Sequence, residues 1–183
     1  MDGNSERKCA MALRLLLMIT AACLSVLPAF ADYITNVNDI VGIPLTSNVL
    51  ARIGARNRTT PDRCFLGCIR AFCLGNASDL KFYFTDDLWR DATGLEPDAP
   101  ISGTQSQNFK DAICDGYMSN QIFSACSIVV TNGMRVVESI MTDVVGSRTS
   151  TNNFRHILVF TNSAWMVKEL FLDGQSIRSD DEF

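Results

Sequence analysis

Apolar and polar positions alternate most regularly in the last third of the chain. Residues 121–131 (QIFSACSIVVT) are β-branched and apolar, and Asn132-Gly133 follows as a hairpin turn signal. Residues 134–142 (MRVVESIMT) alternate again, and the polar run GSRTSTNN predicts an exposed loop over 146–153. Phe154–Thr161 and Ala164–Leu172 read as two more strands, joined at Asn162-Ser163 and followed by a second turn at Asp173-Gly174. The pattern predicts an antiparallel β-meander of four or five strands over 120–173.

The period changes upstream. Phe65, Cys68, Ile69 and Phe72 recur at helical spacing and predict a helix over 60–74. Thr60 suits its N-cap, Pro61 its first turn, and Gly75 the position after its end. Leu80–Thr85 alternates and reads as a strand. Residues 86–108 hold two prolines, two glycines and many polar residues, and read as a long loop with a helical turn near Trp89. Short strands are expected near 40–43 and 48–53, and a short helix over 107–118. The expected fold class is α+β, a disulfide-tied helical segment packed on the meander. The alternative is a β-sandwich with one helical excursion.

Residues 1–31 read as a signal peptide. Arg7, Lys8 and Arg14 precede the apolar run 15–27, Pro28 ends it, and Ala29-Phe30-Ala31 fits the small-x-small cleavage pattern. Its 13 apolar residues fall short of the roughly 20 that span a bilayer. Cleavage would leave a single domain over 32–183, secreted and extracellular, with no membrane span. Two N-glycosylation acceptors agree with that route, Asn57 (Asn57-Arg58-Thr59) and Asn76 (Asn76-Ala77-Ser78).

Five of the seven cysteines lie beyond the leader: Cys64, Cys68, Cys73, Cys114 and Cys126. An oxidising compartment favours pairing, and an odd number leaves one thiol free or available for a disulfide-linked homodimer. One solution ties Cys64 and Cys68 to Cys114 and Cys126; another pairs Cys68 with Cys73. The spacing i, i+4, i+9 matches no zinc-finger pattern, so no metal or cofactor is expected.

Net charge of −4 and a pI near 4.9 argue against nucleic acid as partner. The balance is uneven, however. Arg52, Arg56, Arg58, Arg63 and Arg70 cluster with little acid among them. Such a patch suits acidic glycans or the acidic face of a protein. Arg52, Arg56 and Arg63, with Trp89 as an exposed aromatic anchor in the loop, are the candidate partner-binding residues.

Catalytic motifs are absent, including G-x-S-x-G, H-E-x-x-H and the glycine-rich phosphate loops. His156, the sole histidine, shares a strand face with Phe154, Leu158 and Phe160 and reads as a packed side chain. Asp86, Asp87 and Asp91 form a carboxylate group in the loop, and 86–98 does not match an EF-hand.

Cys64-x3-Cys68-x4-Cys73 followed by Phe82-Tyr83-Phe84 resembles the helix and following strand of apple/PAN modules, over residues 45–115. The resemblance implies an extracellular module that binds proteins or carbohydrates. The chain departs from that pattern in lacking a cysteine between the leader and Cys64. The expected function is therefore a secreted, non-enzymatic recognition module for an extracellular protein or glycan. The alternatives are an assembly protein cross-linked through the odd cysteine, and a hydrolase using the loop carboxylates or His156.

Overall fold

A computed structural model describes residues 33–108, 122–131, 134–145 and 147–177. The chain divides into a unit over Met1–Asp32, outside the described residues, and a unit over Tyr33–Phe183. The expected signal peptide over 1–31, Cys114, the expected turn at Asn132-Gly133 and the acidic end at 178–183 all lie outside the described residues.

The second unit is α+β. A 3-10 turn (Val37–Ile40) and β1 (Ile43–Pro44) precede four helices: α1 (Ser47–Ile53), α2 (Pro61–Cys73), α3 (Ala77–Tyr83) and α4 (Asp86–Thr93). Five strands follow: β2 (Ile122–Thr131), β3 (Met134–Val145), β4 (Arg148–Thr161), β5 (Ala164–Leu172) and β6 (Gln175–Ser176). All six strands form one antiparallel sheet in sequence order. It is the expected meander, extended by the two-residue strands β1 and β6.

The predicted helix over 60–74 is α2. Thr60 caps it as expected, its Oγ1 accepting from the Arg63 N–H at 3.2 Å. The hairpin turns at 162–163 and 173–174 also form. Asn162, Ser163, Asp173 and Gly174 all take φ between 49° and 85°, the left-handed conformation that two-residue hairpins require.

Four local expectations are corrected. Residues 80–85 are not a strand: α3 occupies 77–83, and only Phe84 makes an isolated bridge, to Val167. Its start resembles that of the other helices, since Asn76 Oδ1 accepts from the Asp79 N–H at 3.1 Å. The first part of the long loop is α4, capped by Thr85 and begun by Asp86 and Asp87, whose charges suit a helix N-terminus. Residues 47–53 form α1 rather than a strand, started by Thr46. The polar run 148–153 continues β4, where Thr149 and Thr151 are β-branched and pair with Val144 and Thr142. Of the predicted helix over 107–118 only residues 107 and 108 are described, and they belong to a helical stretch over 103–108.

The core sits between α2 and one sheet face. The helix buries Cys64, Phe65, Cys68 and Ile69, and the sheet contributes Phe123, Val137, Met141, Phe154, Leu158, Val167 and Leu170. The alternate positions Glu138 and Arg155 are exposed and meet at 3.8 Å. The disulfide tie expected of α2 finds no support. Cys64 and Cys68 are thiols buried in the core, and Cys73 is buried too. The Cys64 Sγ lies 3.3 Å from the Trp165 carbonyl, to which it donates. Burial pushes its pKa up to about 12 and raises that of Cys68 as well. Thiols so hard to ionise are poor nucleophiles and slow to exchange. Cys126 lies in β2, in register with Ser139.

Candidate functional site

A concavity lies beside the first described residues of the second unit. It is a groove of about 240 Å³ between residues 33–35, the segment after α1 and the first turns of α2. Tyr33, Ile53, Arg56, Asn57, Arg63 and Leu66 are among its lining residues. Backbone ties hold its walls. Ile34 N–H donates to the Arg52 carbonyl at 2.9 Å, and Val37 N–H donates to Asp62 Oδ1 at 3.3 Å.

The segment 54–60 is pinned from three sides. Arg56 Nε meets Asp79 Oδ1 at 2.6 Å, and Arg70 reaches the other oxygen of the same carboxylate at 3.3 Å. Arg58 donates to the Phe82 carbonyl at 2.7 Å and lies 4.0 Å over the Phe82 ring. The Arg58 carbonyl in turn accepts from the Trp165 N–H at 2.9 Å. Asn57 N–H donates to Tyr83 Oη at 3.2 Å, while its Oδ1 accepts from both the N–H and the hydroxyl of Thr59.

Asp79 is 8% exposed and carries two arginines, so it fixes the shape of this loop. Removing one member of such a cluster leaves the others partly desolvated. Arg56 is half exposed, which softens the effect. Asp79→Asn is expected to lower unfolding stability by about 2 kcal/mol, read as a shift of the urea midpoint at unchanged slope.

Of the four expected partner-binding residues, Arg56 and Arg63 line the groove. Arg52 is exposed on the last turn of α1, outside the lining. Trp89 is corrected: it is 2% exposed, because α4 turns Leu88 and Trp89 into the core. The acceptor Asn57 is half-buried in the groove wall, whereas Asn76 is exposed at the start of α3. Asp86, Asp87 and Asp91 stand on the exposed face of α4, and Asp87 is paired with Arg90 at 3.2 Å.

A second, much smaller chamber lies between α2 and the sheet, lined by Cys68, Phe72, Met141, Phe154, His156 and Leu170 among others. At about 10 Å³ it has room for about one water. His156 is buried here, with the Phe65 ring edge-on at 4.9 Å. Among the described residues its Nδ1 has no hydrogen-bond partner, nor has the buried Ser139 hydroxyl. Burial lowers the His156 pKa to about 3. An imidazole that stays neutral down to that pH is poorly matched to general-base work near neutrality. Phe160, expected on the same face, is instead 59% exposed; it lies at the hairpin end of β4, against Trp165.

Sequence reasoning missed Tyr33 and Asp79. A signal for Asp79 was present in the Asn76-x-x-Asp79 spacing of a helix start. Tyr33 carried none.

No family model matches the chain, and no curated protein does. Among solved structures, a chain from Exiguobacterium sibiricum 255-15, described by the words Ca/calmodulin-dependent kinase II association domain, is 19% identical. The match covers 70% of this chain and 100% of that one, with a TM-score of 0.35. So slight a likeness carries no functional argument.

Proposed function

We propose that the chain is a secreted, non-enzymatic recognition module that holds an extracellular protein or glycan on the basic face around the groove. The observation that carries this reading is the groove itself, where Arg56 and Arg63 meet on one concave surface. Between residues 52 and 79 the sequence has five arginines and two aspartates, a surplus of three positive charges in a chain whose net charge is −4. Among the described residues the Arg63 guanidinium has no acidic partner. A local field of this kind speeds encounter with an anionic partner. The leader over 1–31 and the exposed acceptor Asn76 favour secretion.

Two measurements test the reading. Expressed in secreting cells, the full chain is expected in the medium with its N-terminus at Asp32 and with glycan on Asn76, read by intact mass and peptide mapping. Retention in the cell with the leader uncut would overturn the secreted reading. On immobilised polyglutamate, the Arg56→Ala/Arg63→Ala variant is expected to elute at clearly lower salt than the parent; equal elution would overturn the basic face as the binding surface.

A further inference from the structure

We infer that the groove binds one acidic sugar unit, its ring laid on Tyr33 and its carboxylate or sulfate held by Arg63 and Arg56. The inference rests on the recognition-module reading and gives it a ligand class. Tyr33 is 68% exposed, yet its ring has a fixed seat. A Cβ on Gly54 would stand 2.9 Å from Tyr33 Cδ1 and 3.0 Å from Cε1, so this side of the ring packs close against the glycine. Gly54 also has φ +83°, a conformation that suits glycine. An aromatic face held beside a cationic groove is a stacking platform for the C–H face of a sugar ring.

The polar groups complete the fit. Arg63 offers a planar fork of donors to a carboxylate or sulfate. Arg56 is anchored by its Nε on Asp79, which fixes its position at the groove. Asp62, the nearest acid in sequence, has its Oδ1 on the Val37 N–H. Asn57 has its Oδ1 occupied by Thr59, so its amide NH₂ is the group suited to a sugar hydroxyl. The volume of about 240 Å³ lies below the roughly 300–1,000 Å³ of drug-sized pockets, a size for one ring. An aspartate or glutamate side chain of a protein would use the arginines but leave the Tyr33 face idle.

The test is a calorimetric titration of the full chain, made without glycans, at one fixed salt concentration. The probes are a glucuronate-containing oligosaccharide, a sulfated oligosaccharide, a neutral one of equal length and an Asp/Glu peptide of equal charge. At least one acidic oligosaccharide is expected to bind at least about tenfold more tightly than the neutral one and the peptide; which one does so distinguishes carboxylate from sulfate. Tyr33→Ala and Arg63→Ala are each expected to weaken it about tenfold or more. Tyr33→Phe should retain binding, and Arg155→Ala, on the opposite sheet face, should change it less than about twofold. Binding that ignores Tyr33→Ala, or falls equally with Arg155→Ala, overturns the sugar site. Preference for the peptide overturns it while leaving the recognition module standing. No binding of any acidic probe at millimolar concentration removes both.

Discussion

Acidification from pH 7 to pH 4 is expected to destabilise this protein steeply, and His156→Leu to flatten most of that dependence. The imidazole is buried against Phe65 and Phe154, and its folded pKa of about 3 lies far below the usual value of 6.5. Above pH 6.5 neither folded nor unfolded chain binds the proton, and the histidine has no effect on pH dependence. Below 6.5 the unfolded chain takes up the proton and the folded chain refuses it. Stability is therefore lost as pH falls from about 6.5 towards 3, at about 1.4 kcal/mol per pH unit and on the order of 5 kcal/mol in all. The charged groups nearest in sequence, Arg155 and its partner Glu138, are exposed, and the side chains around the imidazole are Cys68, Cys73, Phe72, Met141 and Leu170. Asp173 has a pKa lowered by two hydrogen bonds from Asn153, so its own contribution is lost below about 3.8, outside most of this window. Urea denaturation at pH 7, 5.5 and 4 measures the effect. A parent and a His156→Leu variant that lose stability in parallel would show that the imidazole is not the group responsible. Leucine also removes a buried nitrogen that has no partner among the described residues, so little loss is expected at pH 7.

The second large effect is expected at Gly67. A Cβ there would stand 2.1 Å from Tyr83 Oη and 2.2 Å from Cζ. Tyr83 is 3% exposed, and its hydroxyl accepts the Asn57 N–H, so the ring cannot swing out without losing that bond and opening the α2–α3 contact. Gly67→Ala would ordinarily gain helix propensity of up to about 1 kcal/mol. Here overpacking outweighs it, and a net loss of about 2–3 kcal/mol is expected. Thermal unfolding of Gly67→Ala, and of Gly67→Ala with Tyr83→Phe or Tyr83→Leu, separates the causes. The leucine double variant should recover part of the loss, since it removes the clashing Oη and Cζ together. A single variant as stable as the parent would show that α2 and α3 separate at little cost.

The sheet was legible in the sequence because its signals are local. Asn162-Ser163 and Asp173-Gly174 set their turns, and strands paired with their neighbours need no long-range information. The cap at Thr60 marked α2 for the same reason. The region 77–93 misled because Leu80, Phe82 and Phe84 alternate, a strand-like period that tertiary packing overrides. In the fold the buried positions of this helix are Ala77, Asp79, Leu80 and Tyr83, a helical spacing that includes an aspartate. Only the arginines from two other segments make a buried Asp79 tenable. Trp89 looked like an exposed anchor for a similar reason, since the polar residues around it are those of the outer face of a helix. In the groove, Arg56 and Arg63 were legible as charge, but their convergence depends on the long-range pair of Arg56 with Asp79, which ties the loop before α2 to α3.

The two outermost strands have a bearing on solubility. A sheet normally ends in a row of unsatisfied amides and carbonyls that invites another strand to add itself. Here one margin is β1, two residues long and ending in Pro44, which has no N–H to offer. The other is β6, also of two residues, and the exposed side of β5 beyond it is met by the Arg58 carbonyl at Trp165 and by the Thr85 N–H at Val167. The first margin is short only at its start, since β1 covers Ile122 and Phe123 alone of the ten residues of β2. Strand-by-strand addition is thereby discouraged at the β5 margin, where loop and helix-cap backbone already occupy the groups that a further strand would use.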